Sequence, residues 1–414
     1  MRYRVITALV AVFALAVFTA TGAQAAGNTL TVWLQVDAQN GWPSVVQAAT
    51  NAFEQSHPGW TVNVDYQQWG DHLQKFDATI AGNGAGTPDV IEMGNTEMTK
   101  YMAAGAFAGL GGYRSQFANS KDWLEGLTAS ATYNHHLYGV PYYAGSRVIT
   151  YRADLFRKAG IRRLPNSLAK LQADLVKVGA KEKGVKGFAP LYVGGEDWYT
   201  ALGFVFDYGG SIAVNHHGRW KGTLDSKNSI RGLTAFQQFF NATQPKSSAS
   251  LDGTSPFPYT VYSQGETAAN YGPAWYLGLE GKKYTKVVKQ FVMPSHVPGK
   301  AMPGFLGGSD LAVPAQSPNK QLAAAWIADF TSTASEKALQ AKGNIPNATN
   351  LLSRSVNDRA AARSWFVPQA TNWVNVENGN ILKTMLSQIL SGRLSVQQAA
   401  QVASQNITQT LNQH

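Results

Sequence analysis

Between residues 29 and 110 the chain alternates strand and helix three times, and that rhythm restricts the folds open to it more than any other feature. In TLTVWLQ, Leu30, Val32 and Leu34 alternate with Thr31, Trp33 and Gln35, the two-residue period of a strand. A helix follows with Val45, Val46, Ala49 and Phe53 on one face, and His57-Pro58-Gly59 stops it. Val62, Val64 and Tyr66 mark a second strand, and Leu73, Phe76 and Ile80 the inner face of a helix from about residue 71 to 81. The strand DVIEM then opens onto the polar loop GNTEMTK. Strands alternating with helices predict an open α/β sheet, and ligands of such sheets sit outside the carboxyl ends of the strands.

At 414 residues the chain exceeds one compact core, so two lobes are expected. Hydrophobic residues make up 44% and charged residues 14%, enough apolar material for two large cores. The 11 Trp, 17 Tyr and 18 Phe exceed ordinary packing needs. Flat polarised rings suit the C–H faces of sugars. The net charge is +10, or +8 without Arg2 and Arg4, but the cations are dispersed. Lys181, Lys183 and Lys186 are interrupted by Glu182, while Lys282, Lys283, Lys286 and Lys289 read as a solvated face, so no nucleic-acid partner is expected.

The first 25 residues read as an export signal: Arg2 and Arg4, an apolar run over residues 5–18, then Ala23-Gln24-Ala25 as cleavage site. That run is short for a membrane span, so cleavage near Ala25 leaves a mature chain without direct membrane insertion. Cysteine is absent, which excludes both disulfides and a lipid-anchoring cysteine. The expected location is a periplasm or the cell exterior.

Further along, helical periodicity ends near Ala104 before Gly105, and LYGVPYYAGSRVITY reads as a crossing between lobes. Residues 153–160 and 167–178 are helical, 188–192 a strand, and 244–258 a Ser- and Pro-rich surface loop. A second crossing is expected at MPGFLGGSDLAVP. Ser317-Pro318 begins a helix with Leu322, Trp326 and Phe330 inward, its end region marked by Gly343 and Pro346. Two helices close the chain, one burying Leu382, Met385, Leu386 and Ile389, the other opened by a Ser395-x-x-Gln398 capping box.

The glycine-rich stretch 82–86 precedes a strand, the wrong context for a phosphate loop. His135-His136 and His216-His217 are adjacent pairs whose side chains diverge, so no metal site and no cofactor are expected. Glu92, Glu97, Glu196 and Asp197 stand at strand ends or loops. Such acids can form a glycosidase pair or accept hydrogen bonds from intact hydroxyls.

Ordered segments over nearly the whole mature chain resemble the type-1 bacterial extracellular solute-binding family, the sugar-binding group that includes maltose-binding protein. They are TLTVWLQ, GTPDVIEMGNTEMTKYMAAGAFAGL, YGVPYYAGSRVITYRADLFRKAG, GETAANYGPAWYLG, GFLGGSDLAVPAQSPNKQLAAAWIADFTS, VPQATNWVNVENGN and ILSGRLSVQQAAQ. The resemblance implies a two-lobed periplasmic-binding-protein-like α/β fold, each lobe a mixed sheet flanked by helices, with a cleft between. It divides the chain into a lobe of residues 26–140 with 305–350 and a lobe of 141–304 with 351–414. It further implies a monomer that is no enzyme, captures a carbohydrate, of di- or oligosaccharide size, and delivers it to the permease subunits of an ABC importer.

Carried over by position, the resemblance places Asp37 and Gln39 after the first strand, Gln68 and Trp69 after the second, and Asn95, Thr96 and Glu97 after the third. In the other lobe it points to Glu196, Asp197 and Trp198, to Trp275, and to Trp373, with Gly307, Gly308 and Ser309 at the return crossing. The family's Gly-x-Trp is one residue longer here, as Gly272-Pro273-Ala274-Trp275, which leaves the direction of Trp275 open. Two other functions remain: a secreted glycan hydrolase, and a binder of the same fold for a non-sugar solute.

Overall fold

The computed structural model describes residues 28–413 apart from 83, 280, 281 and 362, and leaves out the side chains of Glu125 and Lys282. The expected export signal lies outside the described residues. Strand β1 (Asn28–Gln35) pairs in parallel with β2 (Trp60–Gln67) and β3 (Val90–Gly94), as Leu30↔Val62 and Val32↔Val90 register. Its alternate residues Leu30, Val32 and Leu34 are wholly buried, so the two-residue period is a burial period. Helix Pro43–Ser56 lays Val45, Val46, Ala49 and Phe53 into the same core. Burying each such side chain contributes roughly 1.5–3 kcal/mol, and no disulfide supplements it.

The third lobe-forming pair comes from distant sequence. The five-stranded sheet is completed by the return strand Gly307–Ala312, antiparallel to β3 and to β4 (Gly139–Gly145). After β4 only Ser146 intervenes before β5 (Arg147–Arg152), the centre of a second sheet with β6 (Ala269–Pro273) and β7 (Val288–Phe291) on either side. The chain therefore changes lobes within one residue. It returns through Gly304–Phe305, Leu306 and the return strand, and leaves again beyond Ile345, which exchanges two backbone hydrogen bonds with Ala144. Leu127, Ala144, Leu306 and Ile345 form one small apolar cluster where these crossings meet.

The second core joins Leu171, Leu175, Phe204 and Phe236 to Leu386, Ile389 and Ile407. The last three come from helices Ile381–Leu390 and Val396–Leu411, the latter opened by both hydrogen bonds of the Ser395–Gln398 capping box. The fold is thus two-lobed α/β, as expected. Two local expectations change. Residues 188–192 make only isolated parallel bridges, Ala189 to Thr267 and Tyr192 to Asn270, because Pro190 lacks the N–H a ladder needs. The helix after Ser317-Pro318 breaks: Lys320–Phe330 ends at Thr331, and Ser332 caps a separate helix Thr333–Ala341.

Candidate functional site

The first wall is built at the carboxyl ends of β1, β2 and β3. Asp37 is buried in the short helix after β1, and its Oδ2 accepts from Trp69 Nε1 at 2.8 Å. Burial pushes this carboxyl up to about 6, while the Trp69 bond opposes the rise. Trp69 is half-buried and meets His72 edge-on, ring centroids 5.2 Å apart. The buried imidazole of His72 stands 3.1 Å from the Trp69 carbonyl and 3.0 Å from Glu97 Oε2. Burial alone would lower its pKa, but the Glu97 charge and both acceptors raise it. Two acceptors call for two N–H donors, so His72 favours the imidazolium form. Glu97 Oε2 also accepts from the Gly94 amide at 2.8 Å, which closes the turn after β3.

Asn95 binds the return crossing, donating its amide to the Gly308 carbonyl at 2.9 Å. Ser309 is wholly buried there. A Cβ on Gly308 would lie 2.1 Å from the Tyr143 carbonyl oxygen, so the close approach of the return strand to β4 requires glycine. Gln39 and Gln68 are exposed.

The second wall starts at Gly194 and Gly195, whose backbones press against Ala249, Leu251 and Asp252 of the Ser- and Pro-rich loop. Glu196 donates its amide to the Leu251 carbonyl at 2.9 Å. Burial raises its carboxyl, which Lys383 and Ser387 oppose. Asp197 caps helix Trp198–Asp207, accepting from Thr200 Oγ1 at 2.8 Å, and pairs with Arg147 Nη2. Trp198 stacks on Tyr199 at 3.8 Å and packs against Trp365 and Trp373 in the second core. Trp373 is 1% exposed; its Nε1 donates to Glu377 Oε1 at 2.6 Å, one helical turn on. The polar group it presents is therefore Glu377, which receives Thr96 Oγ1 from the opposite lobe at 3.3 Å.

Trp275 resolves the longer GPAW spacing. It follows β6 of the second sheet, yet its ring enters the first-lobe core, edge-on to Trp42 at 5.7 Å and 89°. Its neighbour Tyr276 is equally buried, belongs to the same core and meets it edge-on at 4.6 Å. Burial drives the Tyr276 hydroxyl upward, the Arg147 charge opposes this, and Asp37 and Asp197 add to it. Tyr276 therefore feels acids of both walls. Tyr259 meets it edge-on at 5.0 Å, with a hydroxyl pushed up to about 12 by burial and then by Asp37.

Trp69, Tyr199, Tyr259 and Tyr276 supply ring surface; Asp37, Glu97, Glu377 and Arg147 supply acceptors and donors. Sequence reasoning missed Arg147, Tyr199, Tyr259, Tyr276, His72 and Glu377. Three had a signal: Tyr199 and Tyr276 adjoin selected tryptophans, and Glu377 lies four residues from Trp373 on one helix. The Arg147–Asp197 pair spans 50 positions and had none.

A family model of bacterial extracellular solute-binding proteins matches residues 35–337. The chain is 28% identical over 389 residues to the diacetylchitobiose binding protein DasA of Streptomyces coelicolor, covering 91% of this chain and 88% of that one. Its fold is similar to that of the GacH receptor of Streptomyces glaucescens, with a TM-score of 0.80 at 21% identity, covering 94% of this chain and 99% of the other. It is also similar to maltose-bound MalE3 of T. maritima, with a TM-score of 0.76 at 16% identity over 92% and 98% of the two chains. The match over most of the chain, on a two-lobed fold with a polar and aromatic constellation between the lobes, makes this protein a member of the bacterial extracellular solute-binding protein family.

Proposed function

We propose that the chain captures a carbohydrate of di- or oligosaccharide size between its lobes and delivers it to an ABC permease. The observation that carries this reading is Tyr276, placed among Asp37 of one wall and Arg147 and Asp197 of the other, beside Tyr259. Vicinal hydroxyls take paired hydrogen bonds from such groups while ring faces cover the sugar's C–H surface. The name of the Streptomyces coelicolor relative, over nine-tenths of this chain, supports a sugar ligand. The acids have internal partners, Glu97 with His72 and Asp197 with Arg147, which suits binding better than proton transfer. In this reading the lobes are those expected from the sequence, with the first boundary set at Ser146 because β4 pairs in the first sheet, and they close about the crossings. The mature protein, cut near Ala25, acts outside the cytoplasm as a monomer. Among the described residues no helix is long and apolar enough to cross a membrane.

The test is thermal unfolding against mono-, di- and oligosaccharides. A ligand at a hundred times its Kd adds about 2.7 kcal/mol to stability and raises the melting temperature. Flat curves across the panel would count against carbohydrate capture, and turnover of the sugar would favour a hydrolase.

A further inference from the structure

Arg147 opens β5 directly after the lobe crossing. Its Nη2 is committed to Asp197, and its guanidinium carbon lies 5.7 Å from the ring centres of both Tyr199 and Tyr271. Among the described residues its Nε is buried without a hydrogen-bond partner, although the side chain as a whole keeps 12% exposure. A buried guanidinium N–H left unpaired costs free energy of the order of a lost hydrogen bond. The same group stands against Tyr199, whose hydroxyl feels Glu377 and Glu97 as well as Arg147, so it belongs to the constellation between the lobes.

The geometry points to Arg147 as the specificity-determining residue of the cleft, donating from Nε to the carbonyl oxygen of an acetamido group on the bound sugar. This rests on the reading of the cleft as a carbohydrate site and names the substrate class. Asp197 already neutralises the guanidinium, so the remaining N–H suits a neutral acceptor. A carboxylate ligand would meet the acids Asp37 and Glu97 on the first wall, with His72 held by Glu97. An acetamido carbonyl brings the acceptor without the charge, and the half-buried Tyr199 ring beside Arg147 offers its methyl group an apolar wall.

The experiment is calorimetric titration with disaccharides that share one β-1,4-linked glucopyranose skeleton. The four are N,N′-diacetylchitobiose, cellobiose, the free-amine disaccharide, and a disaccharide ending in a uronate. We expect diacetylchitobiose to bind about ten- to a hundredfold more tightly than cellobiose, the range a charge-assisted hydrogen bond supplies. Arg147→Lys keeps a cation for Asp197 but has no Nε–H; it should weaken diacetylchitobiose binding far more than cellobiose binding, and so erase most of that preference. The double variant R147Q/D197N removes both charges together, so it leaves no buried unpaired acid, and should give the same loss of preference. Equal binding of diacetylchitobiose and cellobiose, stronger binding of the uronate or amine, or a preference that survives both variants would overturn the assignment. Binding of cellobiose without acetamido preference would overturn this inference alone, whereas failure of every sugar, in this set and in the wider panel, would overturn the carbohydrate reading itself.

Discussion

Thr96 Oγ1, on the loop after β3, donates to Glu377 Oε2 at 3.3 Å, joining residues 281 positions apart across the two lobes. The other Glu377 oxygen is held by Trp373 Nε1, so this carboxyl is fixed from both sides. Burial, and then the charge of Glu97, push it up to about 8. A carboxyl that keeps its proton near neutrality can sit at a lobe contact without the repulsion of two charged acids.

Stability should accordingly fall as pH rises. Glu377 is raised to about 8, Glu92 and Asp310 to about 7, and Asp37 to about 6, each chiefly by burial. Unfolded, these groups titrate near pH 4. Between about 4 and 8 the native state binds more protons than the unfolded chain, so their contribution is complete below about pH 4 and is lost on passing through the native values. Melting temperatures from pH 5 to 8.5 should decline, and Glu377→Gln should flatten the upper part of the slope. A melting temperature that rises over this range contradicts the assignment.

Trp69→Ala should weaken sugar binding by about 1–3 kcal/mol with little loss of stability. Trp69 is half-buried and outside the main cores, and its one described side-chain bond goes to Asp37. Calorimetric titration paired with thermal melting checks both halves of the statement.

Trp373→Ala behaves differently. The indole is almost wholly enclosed in the second core against Trp198 and also orients Glu377. Its removal should cost about 3–5 kcal/mol of stability, read as a lower urea midpoint, and any affinity loss should accompany the loss of fold. Trp275→Ala should likewise destabilise, since that ring packs on Trp42. A stable Trp373→Ala protein with weakened binding would mean the indole touches ligand directly.

Gly308→Ala tests the return crossing. The new Cβ would strike the Tyr143 carbonyl at 2.1 Å, and β4 must shift to admit it. Overpacking of this kind costs about 1–3 kcal/mol, so the variant should unfold at lower denaturant, an effect that Gly112→Ala should not reproduce, since that glycine is exposed and nothing lies within 4 Å of a Cβ placed there.

Much of the fold was legible because its signals are local. The period of Leu30, Val32 and Leu34, the helix face of Val45, Val46, Ala49 and Phe53, and the Ser395–Gln398 box all reappear as burial or hydrogen bonds. The site was legible in position but less so in direction. Asp37, Trp69, Asn95, Thr96 and Glu97 follow the strands they were expected to follow. Which tryptophans face the cleft depends on packing partners far away in the chain: Trp275 turns toward Trp42, and Trp373 toward Trp198. Periodicity carries no information about such pairs, nor about Arg147 and Asp197. The break at Thr331 was hidden for a related reason, since the apolar period continues through Leu339 while Ser332 restarts the helix by capping it.

The central claim is that an intact carbohydrate is held between the two walls. Calorimetric titration of the purified mature chain with the oligosaccharide panel, followed by mass analysis of the recovered sugar, tests it most directly. The account predicts saturable binding of at least one sugar at one site per chain, weakened by Trp69→Ala, with the sugar recovered unchanged. No binding across the panel, or a sugar recovered cleaved, would contradict it.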